Sequence, residues 1–118
     1  MIGRGMSKRY CLTLNLKNDP QLIAEYKRQH ERIWPEITES IKSAGIRDME
    51  IYLLGTRLFM VIEADEQFSF EKKANLDAND PKVQAWEDLM WKFQQALPEA
   101  HAGEKWLVME RIFKLEEP

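Results

Sequence analysis

The chain has 118 residues, 44% of them hydrophobic and 31% charged, which describes one compact domain with a core of ordinary size and no room for a second. Its 17 basic and 20 acidic residues leave a net charge of −3 spread along the chain, so nothing draws a nucleic acid or an anionic membrane over long range. Cys11 is the only cysteine, which excludes an internal disulfide and a thiolate metal cluster and fits the reducing cytoplasm.

Residues 1 to 8 lack the apolar run of a signal peptide, and no later stretch is long enough to span a bilayer. They read as a flexible tail before a single domain over residues 9 to 118. From Arg9 to Leu16, Tyr10, Leu12, Leu14 and Leu16 alternate with Cys11, Thr13 and Asn15, the period of a half-buried strand. Asn18-Asp19-Pro20 offers a capping side chain and a proline for a first turn, so a helix should follow and end between Gln29 and Arg32. Pro35 fits poorly inside that helix but can open another, expected over Pro35 to Ala44 and stopped by Gly45. Ile46 to Leu54 and Arg57 to Ala64 read as a hairpin across Gly55-Thr56. A short helix is expected near Phe68 to Leu76, then a capping loop from Asp77 to Pro81. The next helix carries Val83, Trp86, Leu89, Met90 and Phe93 at helical spacing and should end near Leu97-Pro98. A last strand is expected over Trp106 to Leu115.

This order predicts an α+β fold, the ferredoxin-like βαββαβ arrangement with an antiparallel sheet and helices on one face. The strand Leu58-Phe59-Met60-Val61-Ile62 is apolar on both sides, although helices can cover only one. The bare face should therefore pair with a second copy, giving a homodimer.

Tyr26, His30 and Trp34 recur every four residues and would form one stripe if the run were helical throughout. A phenol, an imidazole and an indole suit a pocket that holds a small polar molecule against an aromatic wall and moves a proton. His30 has an ordinary pKa of roughly 6.5 and, when neutral, carries one donor and one acceptor. Trp86 offers a face for a sugar and an N–H for a hydroxyl, while Trp91 and Trp106 read as packing residues. The carboxylates show no paired spacing, His30 and His101 lie too far apart for a metal site, and no phosphate loop or nucleophile elbow is present. No metal and no nucleotide cofactor is expected.

The run Tyr26-x-x-x-His30-x-x-Ile33-Trp34-Pro35-Glu36, with Gly45 and the strands Ile51-Tyr52-Leu53 and Leu58 to Glu63, resembles the L-rhamnose mutarotase family and its L-fucose mutarotase relatives. The resemblance implies a dimeric α/β barrel of ferredoxin-like protomers that acts without a cofactor on the anomeric carbon of a 6-deoxy-hexose. It implies His30 as the catalytic histidine and Tyr26 as a substrate contact; the chemistry of a hemiacetal then makes His30 the acid at the ring oxygen and Trp34 with Trp86 the wall, and leaves the base for the anomeric hydroxyl unassigned. A family tyrosine aligns with Met49, and a family tryptophan pair aligns with Trp86-Glu87. These two departures point to L-fucose ahead of L-rhamnose. Two other classes fit the same architecture. One is a cofactor-independent monooxygenase or haem-binding protein, with His30 as an axial ligand, and the other is a sugar-binding module without turnover.

Overall fold

The computed structural model describes residues 7–116. Most of the expected tail, residues 1–6, lies outside them, and the sheet already begins at Lys8. Strand β1 (Lys8–Leu16) is followed by helices α1 (Pro20–Glu31) and α2 (Pro35–Ser43), strands β2 (Ile46–Leu54) and β3 (Arg57–Ala64), and helices α3 (Phe70–Ala78) and α4 (Pro81–Trp91). Two short strands, β4 (Gln94–Gln95) and β5 (Leu107–Val108), complete the order.

Local chemistry sets most of these boundaries. The Asp19 carboxylate accepts the Gln21 and Leu22 N–H groups at 2.9 and 3.3 Å, and Asp80 does the same for Lys82 and Val83, each before a proline at the first turn. Helix α2 has no side-chain cap and starts on Pro35 alone. Gly45 ends it with φ of 101°, and a Cβ there would meet the Asp65 carboxylate at 2.9 Å. Gly55, with φ of 61°, is the only positive-φ residue in the two-residue β2–β3 turn, the pattern of a type II′ hairpin.

Three expected boundaries move. Helix α3 begins at Phe70 because Ser69 caps it by accepting the Lys72 N–H, which frees Phe68 for the core. It also takes in Asp77 and Ala78, expected in a loop, where Asp77 pairs with Lys73 one turn earlier at 2.5 Å. Helix α4 stops at Trp91 instead of near Leu97-Pro98. The Lys92 and Phe93 N–H groups reach back to Leu89 and Met90 carbonyls, three-residue bonds that tighten the last turn and swing the chain out. Gln94 and Gln95 then pair with Leu16 and Asn15 of β1. The last strand, expected over Trp106 to Leu115, is paired only at Leu107 and Val108, opposite Thr13 and Leu12.

The sheet order is β2-β3-β1-β4, with β5 on the same edge of β1 as β4, and every pairing is antiparallel. This is the ferredoxin-like order, with its fourth strand delivered in two pieces. A bulge between Ile46 and Asp48 shifts β2 by one residue. That shift lets Ile46 and then Met49, Ile51 and Leu53 all turn inward despite their odd spacing.

The four helices cover one face. Leu14, Leu16 and Leu58 from the sheet pack with Tyr26, Ile37, Val83, Trp86, Met90 and Phe93, and Leu12, Met60 and Ile62 continue this layer toward Ile46 and Phe68. On the other face Phe59 and Val61 are half-buried and Tyr52 and Leu54 are exposed. Beyond β5, Ile112, Phe113 and Leu115 stand 88%, 73% and 85% exposed. No helix among the described residues is long and apolar enough to cross a membrane.

Candidate active site

A cavity of about 720 Å³ opens between the sheet and the helices, lined by Tyr26 and His30 of α1, Met49 of β2, Trp86 and Glu87 of α4, Gln94 of β4 and Lys105. That size is within the roughly 300–1,000 Å³ usual for small-molecule sites. Leu12, Ile51, Met60 and Ile62 give it an apolar floor. A second polar group, Lys73 and Asp77 of α3 with Ser40 of α2, also lines it.

Helical pitch brings Tyr26 and His30 together, with ring centroids 4.4 Å apart. The stripe does not continue as one helix, because α1 ends at Glu31 and Trp34 is the residue before α2. Trp86 fills the gap from α4, edge-on to His30 at 5.7 Å and to Trp34 at 5.2 Å. Trp34 is not among the cavity-lining residues, so it backs Trp86 instead of forming wall itself. Met49, Trp86 and Glu87 do line the cavity, and Tyr52 lies on the opposite face of β2, bonded to Glu50.

His30 Nδ1 lies 2.9 Å from the Tyr26 backbone oxygen. A carbonyl can only accept, so Nδ1 carries the proton and Nε2 keeps a free lone pair in the neutral ring. Burial pushes the His30 pKa below its ordinary 6.5, with the Tyr26 backbone bond opposing that shift. At neutral pH the ring is therefore neutral and poised to take a proton through Nε2. Burial pushes the Tyr26 phenol up to about 12, against the bond from Gln94. The phenol keeps its proton across the physiological range and serves as a donor.

Two residues of the site were hidden in the sequence. Lys105, from the loop after Gly103, bonds the Glu87 carboxylate at 2.5 Å and the Glu87 carbonyl at 2.9 Å, and its ammonium sits 4.8 Å from the Trp91 ring centre. Burial lowers its pKa, and the bond to Glu87 works the other way. No spacing in the sequence links positions 87 and 105. Gln94 is 4% exposed; its Nε2 lies 3.4 Å from the Tyr26 Oη, and its Oε1 has no hydrogen-bond partner among the described residues. An unpaired buried polar atom costs about 1–3 kcal/mol, so its presence beside a cavity is informative. The expected continuation of α4 concealed this residue.

The family model described as L-rhamnose mutarotase matches residues 9–115, a span that holds every cavity residue named above. An L-fucose mutarotase of Xanthomonas campestris pv. campestris is 46% identical over 112 residues, covering 93% of this chain and 90% of the relative. The chain belongs to the L-rhamnose mutarotase family. Membership in the L-rhamnose mutarotase family makes it a carbohydrate isomerase. The solved L-rhamnose mutarotase of Formosa agariphila superposes with a TM-score of 0.69 at 22% identity, over 92% of this chain and 99% of that one. The tetracenomycin F2 cyclase of Streptomyces glaucescens, a polyketide cyclase, superposes with a TM-score of 0.61 at 17% identity, over 94% and 99% of the two chains. These two likenesses establish the fold, which evidently carries more than one chemistry.

Proposed function

We propose that the protein interconverts the α and β anomers of L-fucose, with L-rhamnose the next-best substrate. The observation that carries this reading is the neutral His30 ring, its Nδ1–H held by the Tyr26 carbonyl at 2.9 Å, on the wall of a cavity shared with the Tyr26 phenol and Trp86. L-Fucose is favoured by the 46% identical relative of that activity and by Met49 and Glu87, which replace an aromatic wall with a thioether and a carboxylate.

Anomer exchange moves one proton between two oxygens bonded to the same carbon and involves no net oxidation, so side chains alone can supply the chemistry. His30 Nε2 takes the proton of the anomeric hydroxyl as the bond from the anomeric carbon to the ring oxygen breaks. The Tyr26 phenol donates a hydrogen bond to the sugar and steadies the oxygen on which charge grows. The imidazolium then gives its proton to that ring oxygen, releasing the open aldehyde, which rotates and recloses by the reverse steps. His30 thus begins as the base and finishes as the acid, which revises its expected role as acid alone and assigns the base that the sequence left open.

We further place the protein in the cytoplasm as a homodimer, with a second copy on the bare sheet face. The chemistry is tested by saturation-transfer NMR between the anomers of L-fucose and of L-rhamnose. Exchange should exceed the buffer rate with wild-type protein, faster for L-fucose. His30→Ala should lower it on the order of 10²- to 10⁴-fold, and Tyr26→Phe by less. Exchange at the buffer rate for both sugars would refute the mutarotase reading, and full activity in His30→Ala would refute only the role of His30.

A further inference from the structure

Gln94 is a buried polar residue of the cavity that the proton transfer above leaves unused. Its backbone is fixed by pairing with Leu16 in β1, and the neighbouring Phe93 carbonyl accepts from the Lys17 N–H at 2.8 Å. The side chain therefore projects from a rigid edge. It is 4% exposed, lines the cavity with Tyr26 and His30, and reaches the Tyr26 phenol at 3.4 Å. Its Oε1 is unpaired among the described residues. The amide can turn over and offer either end to the phenol, but either way one end stays idle. A residue needed only for packing would be served by leucine or methionine, which leave no buried polar atom. The idle end is itself enclosed, so a turn about the side-chain torsions must bring it to the cavity, where a ring bearing several hydroxyls would satisfy it.

We propose that Gln94 is a specificity-determining residue of this site. One end of its amide holds the Tyr26 phenol, and the other bonds one ring hydroxyl of the sugar. This rests on the mutarotase reading and deepens it. When Nε2 donates to the phenol oxygen, the Tyr26 O–H is left free to donate to the sugar, so Gln94 also directs that proton. Because the amide is buried, a sugar without the matching hydroxyl leaves it unpaired again, and such sites discriminate strongly between close analogues.

The test compares wild type with Gln94→Met, which keeps the length and removes the amide, by anomer exchange and by calorimetric titration. The probes are L-fucose and its analogues lacking one ring hydroxyl each. Gln94→Met should raise the KM for L-fucose tenfold or more, with kcat changing far less, because the lost contact exists before the reaction begins. One deoxy analogue should be at least tenfold worse than L-fucose for wild type but equal to it for Gln94→Met, the signature of a direct pair. If every analogue loses equally in both proteins, or if Gln94→Met keeps the wild-type KM and Kd, the proposal is overturned. The titration needs no turnover. A wild type that binds L-fucose without exchanging it sinks the mutarotase reading, while the Kd of Gln94→Met still decides Gln94. A wild type that neither binds nor exchanges sinks both. If Gln94→Met shows no native melting transition, Gln94→Asn, which draws the amide back by one carbon, should raise KM in the same sense, and an unchanged KM there overturns the proposal.

Discussion

Strand β3 sends Leu58, Met60 and Ile62 to one side of the sheet and Phe59 and Val61 to the other. The first three are buried under four helices, and the other two remain half-buried with nothing over them among the described residues. Composition alone does not distinguish the two sides. What separates them is what the rest of the chain supplies: helices and a cavity on the first, and on the second, among the described residues, the neighbouring strands' own side chains, Cys11, Thr13 and Asn15 of β1 and Glu50, Tyr52 and Leu54 of β2. The covered face encloses a cavity, and the other, a mix of apolar and polar side chains, is the one on which the proposed second copy would sit.

The contrast is broken most directly by truncating a ring on each side. Phe93, 1% exposed under the Tyr26 ring, should cost about 3–5 kcal/mol on replacement by alanine, read by urea unfolding. Phe59→Ala, measured at dilutions where the chain is a monomer, should cost much less. Equal losses would mean that the second face is already a finished core.

A smaller effect is expected on assembly. Burying an isoleucine or phenylalanine contributes about 1.5–3 kcal/mol, so Ile112→Glu combined with Phe113→Glu should weaken the proposed homodimer tenfold or more in sedimentation equilibrium. The monomer's unfolding transition should stay where it was. An unchanged association constant would take the arm out of the interface.

The smallest effect is a displaced pH profile. His30 is held below 6.5 by burial, and in the proposed mechanism its neutral form takes the anomeric proton. Exchange should therefore be flat above 6.5 and fall only as the pH drops through the lowered pKa. Stability has the same sign. The unfolded ring binds a proton near 6.5 while the folded ring resists it, so this contribution is present above 6.5 and is lost as pH falls. An acidic limb above 6.5, measured on kcat, would contradict the neutral resting state.

Much of this fold is legible in the sequence because its elements begin and end on local signals. Asp19-Pro20, Asp80-Pro81, Gly45 and Gly55 each act through their own backbone or a neighbour's, and a reader of the chain can see them. The end of α4 is different. Phe93 continues the helical spacing of Val83, Trp86 and Met90, and no glycine or proline interrupts it before Pro98. The chain leaves the helix because β1 offers Gln94 and Gln95 an edge, a contact nearly eighty positions away. The arm after β5 shows the converse. Its residues have a strand's character, yet most of them have no partner strand among the described residues. In the site, Tyr26 and His30 were visible as neighbours on one helix, whereas Gln94 and Lys105 reach it through pairings that no period encodes. Trp34 had the right spacing but not the right helix, and Trp86 stands where the stripe was expected to continue.

The bond from His30 Nδ1 to the Tyr26 carbonyl has a consequence for how this site can change. The group that dictates the tautomer is a peptide oxygen, present whatever side chain occupies position 26. The phenol can be altered or lost without reversing which nitrogen carries the proton, so Tyr26→Phe separates the proposed sugar contact from tautomer control. The orientation of the reactive nitrogen is thereby inherited from the helix itself, leaving the surrounding side chains free to vary with the sugar.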